Sequence, residues 1–93
     1  MSSTVAVKAL PLVKQRLNRL DTTLDTYLQA VIDSAEAEMT SGSGAVVDAA
    51  DDLMLLVDYS AWRYQNRDQP GGMPEWLRYR LRQRFIRIRE VAP

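Results

Sequence analysis

The chain contains neither cysteine nor histidine. Without cysteine it has no disulfide, no thiolate zinc site and no cysteine nucleophile. Without histidine it also lacks the side chain that most often moves protons near neutral pH or ligates a transition metal. The joint absence argues against an enzyme, and no cofactor is expected. Carboxylates alone can hold magnesium or cleave a glycosidic bond, but no paired-acid motif such as DxD stands in a loop context.

Long apolar runs are missing too. The longest strongly apolar stretch is Leu53 to Val57, far below the roughly 20 residues of a spanning helix. The opening MSST has no basic segment followed by an apolar one, so it does not read as a signal peptide. These features lead us to expect a soluble intracellular product with no membrane partner and no small-molecule substrate.

Net charge is absent as well, but the charges are sorted. The 12 basic and 12 acidic residues cancel overall. Lys8, Lys14, Arg16 and Arg19 make the first twenty residues basic, the span from Asp21 to Asp58 has acids and no Lys or Arg, and the end is arginine-rich. Blocks of this kind favour complementary contacts, within a chain or between chains. A uniformly basic nucleic-acid binder has a different pattern.

Enough apolar material is present to fold: 46% of residues are hydrophobic and 26% charged, whereas disordered chains carry too little to offset ordering entropy. A chain of 10.6 kDa makes one domain, residues 1–93, and a domain this small buries only roughly 60–65% of its unfolded surface. Its core is therefore thin.

Periodicity predicts an all-α fold, a small bundle of about four helices. Pro11 suits a first helical turn, giving a short helix over about Leu10 to Asn18 with Leu10, Val13 and Leu17 on one side and residues 1–8 as a flexible lead. Leu24, Leu28, Val31, Ile32, Ala35 and Met39 follow the i, i+3, i+4, i+7 template, with Gln29, Asp33 and Glu36 facing away. Asp21, Thr22 and Thr23 supply capping chemistry before this helix, and SGSG supplies the stop, with a loop over 41–47. A third helix is expected from about Asp48 to Asn66. It carries one stripe of Ala50, Leu53, Met54, Val57, Ala61 and Tyr64 and a second of Leu55, Tyr59 and Trp62 on nearly the opposite side. A helix apolar on two sides needs cover on two sides, which makes Leu55, Tyr59 and Trp62 candidates to face a neighbouring subunit. The turn QPGG lies in a loop over 67–73, and Pro74 and Glu75 then open a last helix.

That last helix contains RYRLRQRFIRIRE, Arg78 to Glu90. Leu77, Leu81, Phe85 and Ile88 form its apolar face, Arg78, Arg82 and Arg89 one flank, and Arg80 and Arg87 the other. The alternation in FIRIR leaves residues 86–93 open between helix and strand. Three uses of the arginines compete: a solvated face whose long stems shield apolar surface, forked docking onto carboxylates of another protein, and a nucleic-acid grip. Trp76 lies off the apolar face, and tryptophan and arginine are enriched at interface hot spots. No glycine-rich phosphate loop and no clear helix-turn-helix spacing accompanies the arginines.

Three segments, VKQRLNRLD (Val13 to Asp21), LMLLVDYSAWRYQNRD (Leu53 to Asp68) and GGMPEWLR (Gly71 to Arg78), together resemble the small head-tail connector proteins of tailed bacteriophages and prophages. The likeness covers nearly the entire chain in order and length, although its C-terminus is richer in arginine than the family pattern. The resemblance implies a helical subunit assembling into a ring of about a dozen copies beneath the portal. Such a ring leaves a channel for genome DNA without sequence-specific binding. Partners would be other copies of itself, the portal protein and a tail-side neck protein. Its location would be the virion neck, reached from the bacterial host cytoplasm. The candidate interface residues are Leu55, Tyr59, Trp62, Trp76, Arg78, Arg82 and Arg89. The alternatives are a small regulatory nucleic-acid-binding protein using the arginine helix and a scaffolding subunit of an enzyme.

Overall fold

The computed structural model describes residues 3–19, 21–43, 50–66 and 72–91, excluding the side chains of residues 42, 43 and 85–91. It contains four helices, α1 (Thr4–Arg16), α2 (Asp25–Ser43), α3 (Ala50–Gln65) and α4 (Glu75–Val91), and no strand among the described residues. The expected all-α bundle is what forms.

Helix α1 starts six residues earlier than the Leu10 start expected, so the supposed flexible lead is helical from Thr4. The missed signal is Ser3. Its hydroxyl accepts from the Ala6 N–H at 3.0 Å, capping the first turn, and donates to Glu36 Oε2 of α2 at 2.6 Å. Pro11 therefore sits inside the helix and not at its start. Proline cannot bond the Val7 carbonyl, but Val7 and Pro11 are both exposed, so that carbonyl is on the side water reaches. The end is a Schellman turn. Asn18 has φ 58°, its N–H bonds to the Gln15 carbonyl at 3.2 Å, and the Arg19 N–H bonds to the Lys14 carbonyl at 2.8 Å. Asparagine tolerates this left-handed conformation better than most residues.

The buried side of α1 is Val5, Ala6, Ala9 and Val13, with Leu10 and Leu17 half-buried. Its small residues let α1 lie close to both α2 and α3. In α2 the expected stripe holds: Leu28, Ile32, Ala35 and Met39 are buried, and Leu24 and Val31 are half-buried. The opposite flank, expected to face water, meets α1 instead. Gln29 donates to the Ala6 carbonyl at 3.0 Å, and Lys14 Nζ lies 2.8 Å from Asp25 Oδ1. The helix runs through Ser43, past the expected loop start at 41; residues 44–49 and 67–71 lie outside the described residues.

Helix α4 packs on α2 and α3. The Pro74 carbonyl accepts from the Arg78 N–H at 3.0 Å, just ahead of Glu75. The helix reaches Val91, so the strand alternative for FIRIR is overturned as far as that residue. No Gly or Pro interrupts it, and arginine, leucine and glutamine are good helix formers.

One core joins α1, α2 and α3, with Leu77 as the one buried hydrophobic side chain described for α4. A second fastening between α2 and α3 is polar. Tyr59 donates its hydroxyl to Glu38 Oε2, Arg63 Nη1 lies 2.9 Å from the same oxygen, and Arg63 Nη2 donates to Ser34 Oγ at 3.0 Å. The guanidinium also lies over the Tyr59 ring, 5.6 Å from its centroid. The Tyr59 hydrogen bond, together with Arg63, holds the Glu38 carboxyl below its ordinary value of 4.5. Burial, then the Glu38 carboxylate, raises the Tyr59 phenol.

A carboxyl depressed in the folded state stabilises the fold above its unfolded value, and that contribution is lost as pH falls through the folded value. The melting-temperature gap between wild type and Glu38→Gln is therefore expected to be present at pH 6 to 7 and to close as pH drops below 4.5. Thermal melts across that range check it.

Candidate assembly interface

Most of the two apolar stripes expected on α3 is covered within one protomer. Leu55 is 4% exposed and Tyr59 6%, while Trp62 is half-buried. The expectation that these three present an open surface to a neighbour is therefore corrected for Leu55 and Tyr59. The physical reason is that two different helices share the task. Toward the start of α3, Leu55 lines a cleft with Tyr79, Arg80 and Arg84 of α4. Toward its end, Tyr59 turns to Glu38 of α2 and stacks beside Trp62, their rings 6.3 Å apart and 19° from parallel. Met54, assigned to the covered stripe, is the residue left 45% exposed.

The alternating arginines of α4 are sorted by face. Arg80 and Arg84 turn inward with Leu77. Arg84 Nε and Nη2 reach the two oxygens of Asp52 at 3.1 and 3.2 Å, a forked pair with side chains 1% and 6% exposed. Arg80 donates to Asp58 Oδ2, and Arg16 of α1 donates to Asp58 Oδ1 at 3.0 Å, so this one buried carboxylate ties α1, α3 and α4 together. The charge blocks noted in the sequence thus meet inside the chain. Part of the acidic block is consumed here.

The outer face of α4 is left to Trp76, Arg78, Tyr79 and Arg82. Trp76 is 46% exposed and Tyr79 62%, the two lying one turn apart. Arg78 is exposed, 3.7 Å from Glu75 Oε1, and donates to the Met73 carbonyl at 3.4 Å. Arg82 is exposed and makes no ion pair among the described residues. The Arg89 side chain lies outside the described residues. Trp76, Arg78 and Arg82 are thus all exposed on α4, whereas Leu55 and Tyr59 are buried.

Sequence reasoning missed Tyr79, Arg84 and Asp52. Tyr79 was signalled by its i+3 spacing from Trp76. Arg84 stands seven residues after Leu77, and Asp52 three, four and seven before Leu55, Leu56 and Tyr59, so each occupies a core position of its helix. A charge at a core position of two neighbouring helices is the mark of a buried pair.

A groove of 460 Å³ also runs between α2 and α3, lined by Tyr27, Val31, Trp62, Arg63 and Asn66 among others. Among the described residues no group of three acidic, histidine or cysteine side chains can hold a metal, and no helix is long and apolar enough to cross a membrane. No family model, curated protein or solved structure matches this chain.

Removing one member of a buried pair strands the other charge, at a cost of about 3–5 kcal/mol, whereas replacing both with apolar groups of similar volume is often neutral. Asp52→Ala is expected to lose stability in that range, and Asp52→Leu/Arg84→Met to recover most of it. Urea unfolding of the three proteins tests this; an equal loss in the double variant would remove the pair from the explanation.

Proposed function

We propose that this chain is a structural assembly subunit of the head-tail connector kind, built to bind other copies of itself in a ring between portal and tail. The observation that carries the reading is that two aromatic rings, Trp76 and Tyr79, and two arginines, Arg78 and Arg82, are left exposed within two turns of α4. Contiguous aromatic surface flanked by arginine is the composition of interface hot spots, and burying it against a partner gives more than leaving it in water. The order of segments quoted above, which resembles the connector family over nearly the whole chain, supports the same reading.

In a head-to-tail ring the two surfaces of each contact differ. The arginine-aromatic face of α4 supplies one of them. Portal and tail-side neck proteins would meet the two rims, and DNA would pass through the channel without base-specific contacts. The nucleic-acid alternative draws on the same arginines but has fewer to use. Arg80 and Arg84 are committed to Asp58 and Asp52, so the series does not form one cationic strip toward solvent.

Arg78→Glu/Arg82→Glu and Trp76→Ala are each expected to abolish concentration-dependent assembly while leaving far-UV helicity unchanged. Light scattering over a concentration series, paired with circular dichroism, reads both quantities. Unimpaired assembly by both variants would defeat the reading, and salt-sensitive binding of wild type to short duplex DNA would favour the alternative.

A further inference from the structure

We infer that Arg16 of α1 and Arg80 of α4, held side by side on Asp58 of α3, form a binding site for a phosphate group. The inference is independent of the connector reading and stands whether or not copies of the chain assemble.

An excess of cation carries it. One guanidinium is enough to answer a buried carboxylate, as Arg84 does for Asp52. Asp58 has two. Arg16 Nη1 donates to its Oδ1 at 3.0 Å and Arg80 Nη1 donates to its Oδ2, so the cluster keeps one positive charge beyond what the carboxylate neutralises. That surplus faces water. The Asp58 side chain is 11% exposed, whereas those of Arg16 and Arg80 are 48% and 37% exposed.

The unused donors are the second observation. A guanidinium carries five N–H groups, and Arg16 and Arg80 each commit only Nη1 to Asp58. Among the described residues no acceptor meets the Nε or Nη2 of either. Arg84 differs on both counts, because it spends Nε and Nη2 on Asp52 and is buried. Two like-charged heads repel in water, yet here the two oxygens of one carboxylate keep them neighbours before any ligand arrives. A ligand that bridges them meets a site already gathered.

The geometry selects the ligand class. A planar carboxylate is forked by a single guanidinium, as at Asp52. A tetrahedral phosphate presents oxygens in more than one plane, so it can accept from two heads that come from different helices, and arginine suits phosphate recognition in general. Free phosphate, a phosphomonoester and the phosphodiester of a nucleic acid share this chemistry. A contact of this kind reads no base.

The test is a titration of the full-length, nitrogen-15-labelled chain with inorganic phosphate, followed through the arginine Nε–Hε signals. Ionic strength is held constant with sodium chloride, so that screening does not change. The signals of Arg16 and Arg80 are expected to move along one saturable curve while that of Arg82 stays in place. Arg16→Gln is expected to weaken binding by roughly tenfold or more, the loss of one charge-assisted contact, and to keep its far-UV helicity because Arg80 still answers Asp58. Arg82→Gln removes the same charge elsewhere and is expected to leave affinity unchanged. A second arm replaces phosphate with short duplex DNA: movement of the same two signals assigns the site to a phosphodiester, and movement with phosphate alone assigns it to free phosphate or a monoester. Absence of a saturable shift at Arg16 and Arg80 in the wild-type chain overturns the inference, as does equal affinity in wild type and Arg16→Gln.

Discussion

The fold depends on how two buried carboxylates of α3 are satisfied. Asp52 and Asp58 point into the interior from a helix whose other inward residues, Ser60 apart, are aliphatic, alanine or tyrosine, and an unpaired charge there would be far more costly than any single apolar contact returns. Arg84 answers the first with a fork, and Arg80 and Arg16 share the second. These contacts set the register of α4 on α3 and tie α1 to both. They also decide which arginines are left over for the surface.

From that sorting follows the division of labour among the helices. The first three are held by aliphatic and small residues, with the Glu38–Tyr59–Arg63 cluster as a polar clasp between α2 and α3. Among its described side chains, the fourth is held by Leu77, Arg80 and Arg84. Helix α4 leaves Trp76, Tyr79, Arg78 and Arg82 exposed.

Much of this was legible in the sequence, and the rest was hidden for physical reasons. The apolar period of α2 fixed its inward residues because tertiary packing agreed with local pattern. Pro74 and Glu75 marked the start of α4 for the same reason. Helix α1 was misplaced because Pro11 was given the role of a helix opener, when Ser3 caps the chain earlier and exposure lets the proline sit inside. The double stripe on α3 was visible, but its consequence was not. Periodicity tells that a helix needs cover on two sides, and says nothing about whether α2 and α4 of the same chain can divide that cover between Tyr59 and Leu55. The alternating arginines of α4 looked uniform along the chain, and only the partners on α3 distinguish Arg80 and Arg84 from Arg78 and Arg82.

The central claim is that the Asp52 and Asp58 ion pairs hold α4 in its seat on the bundle. Native-state hydrogen exchange followed residue by residue tests it most directly. The account predicts that Asp52→Asn lowers the protection of α4 amides more than that of Val13 or Ile32. Protection of α4 amides unchanged by Asp52→Asn would contradict it.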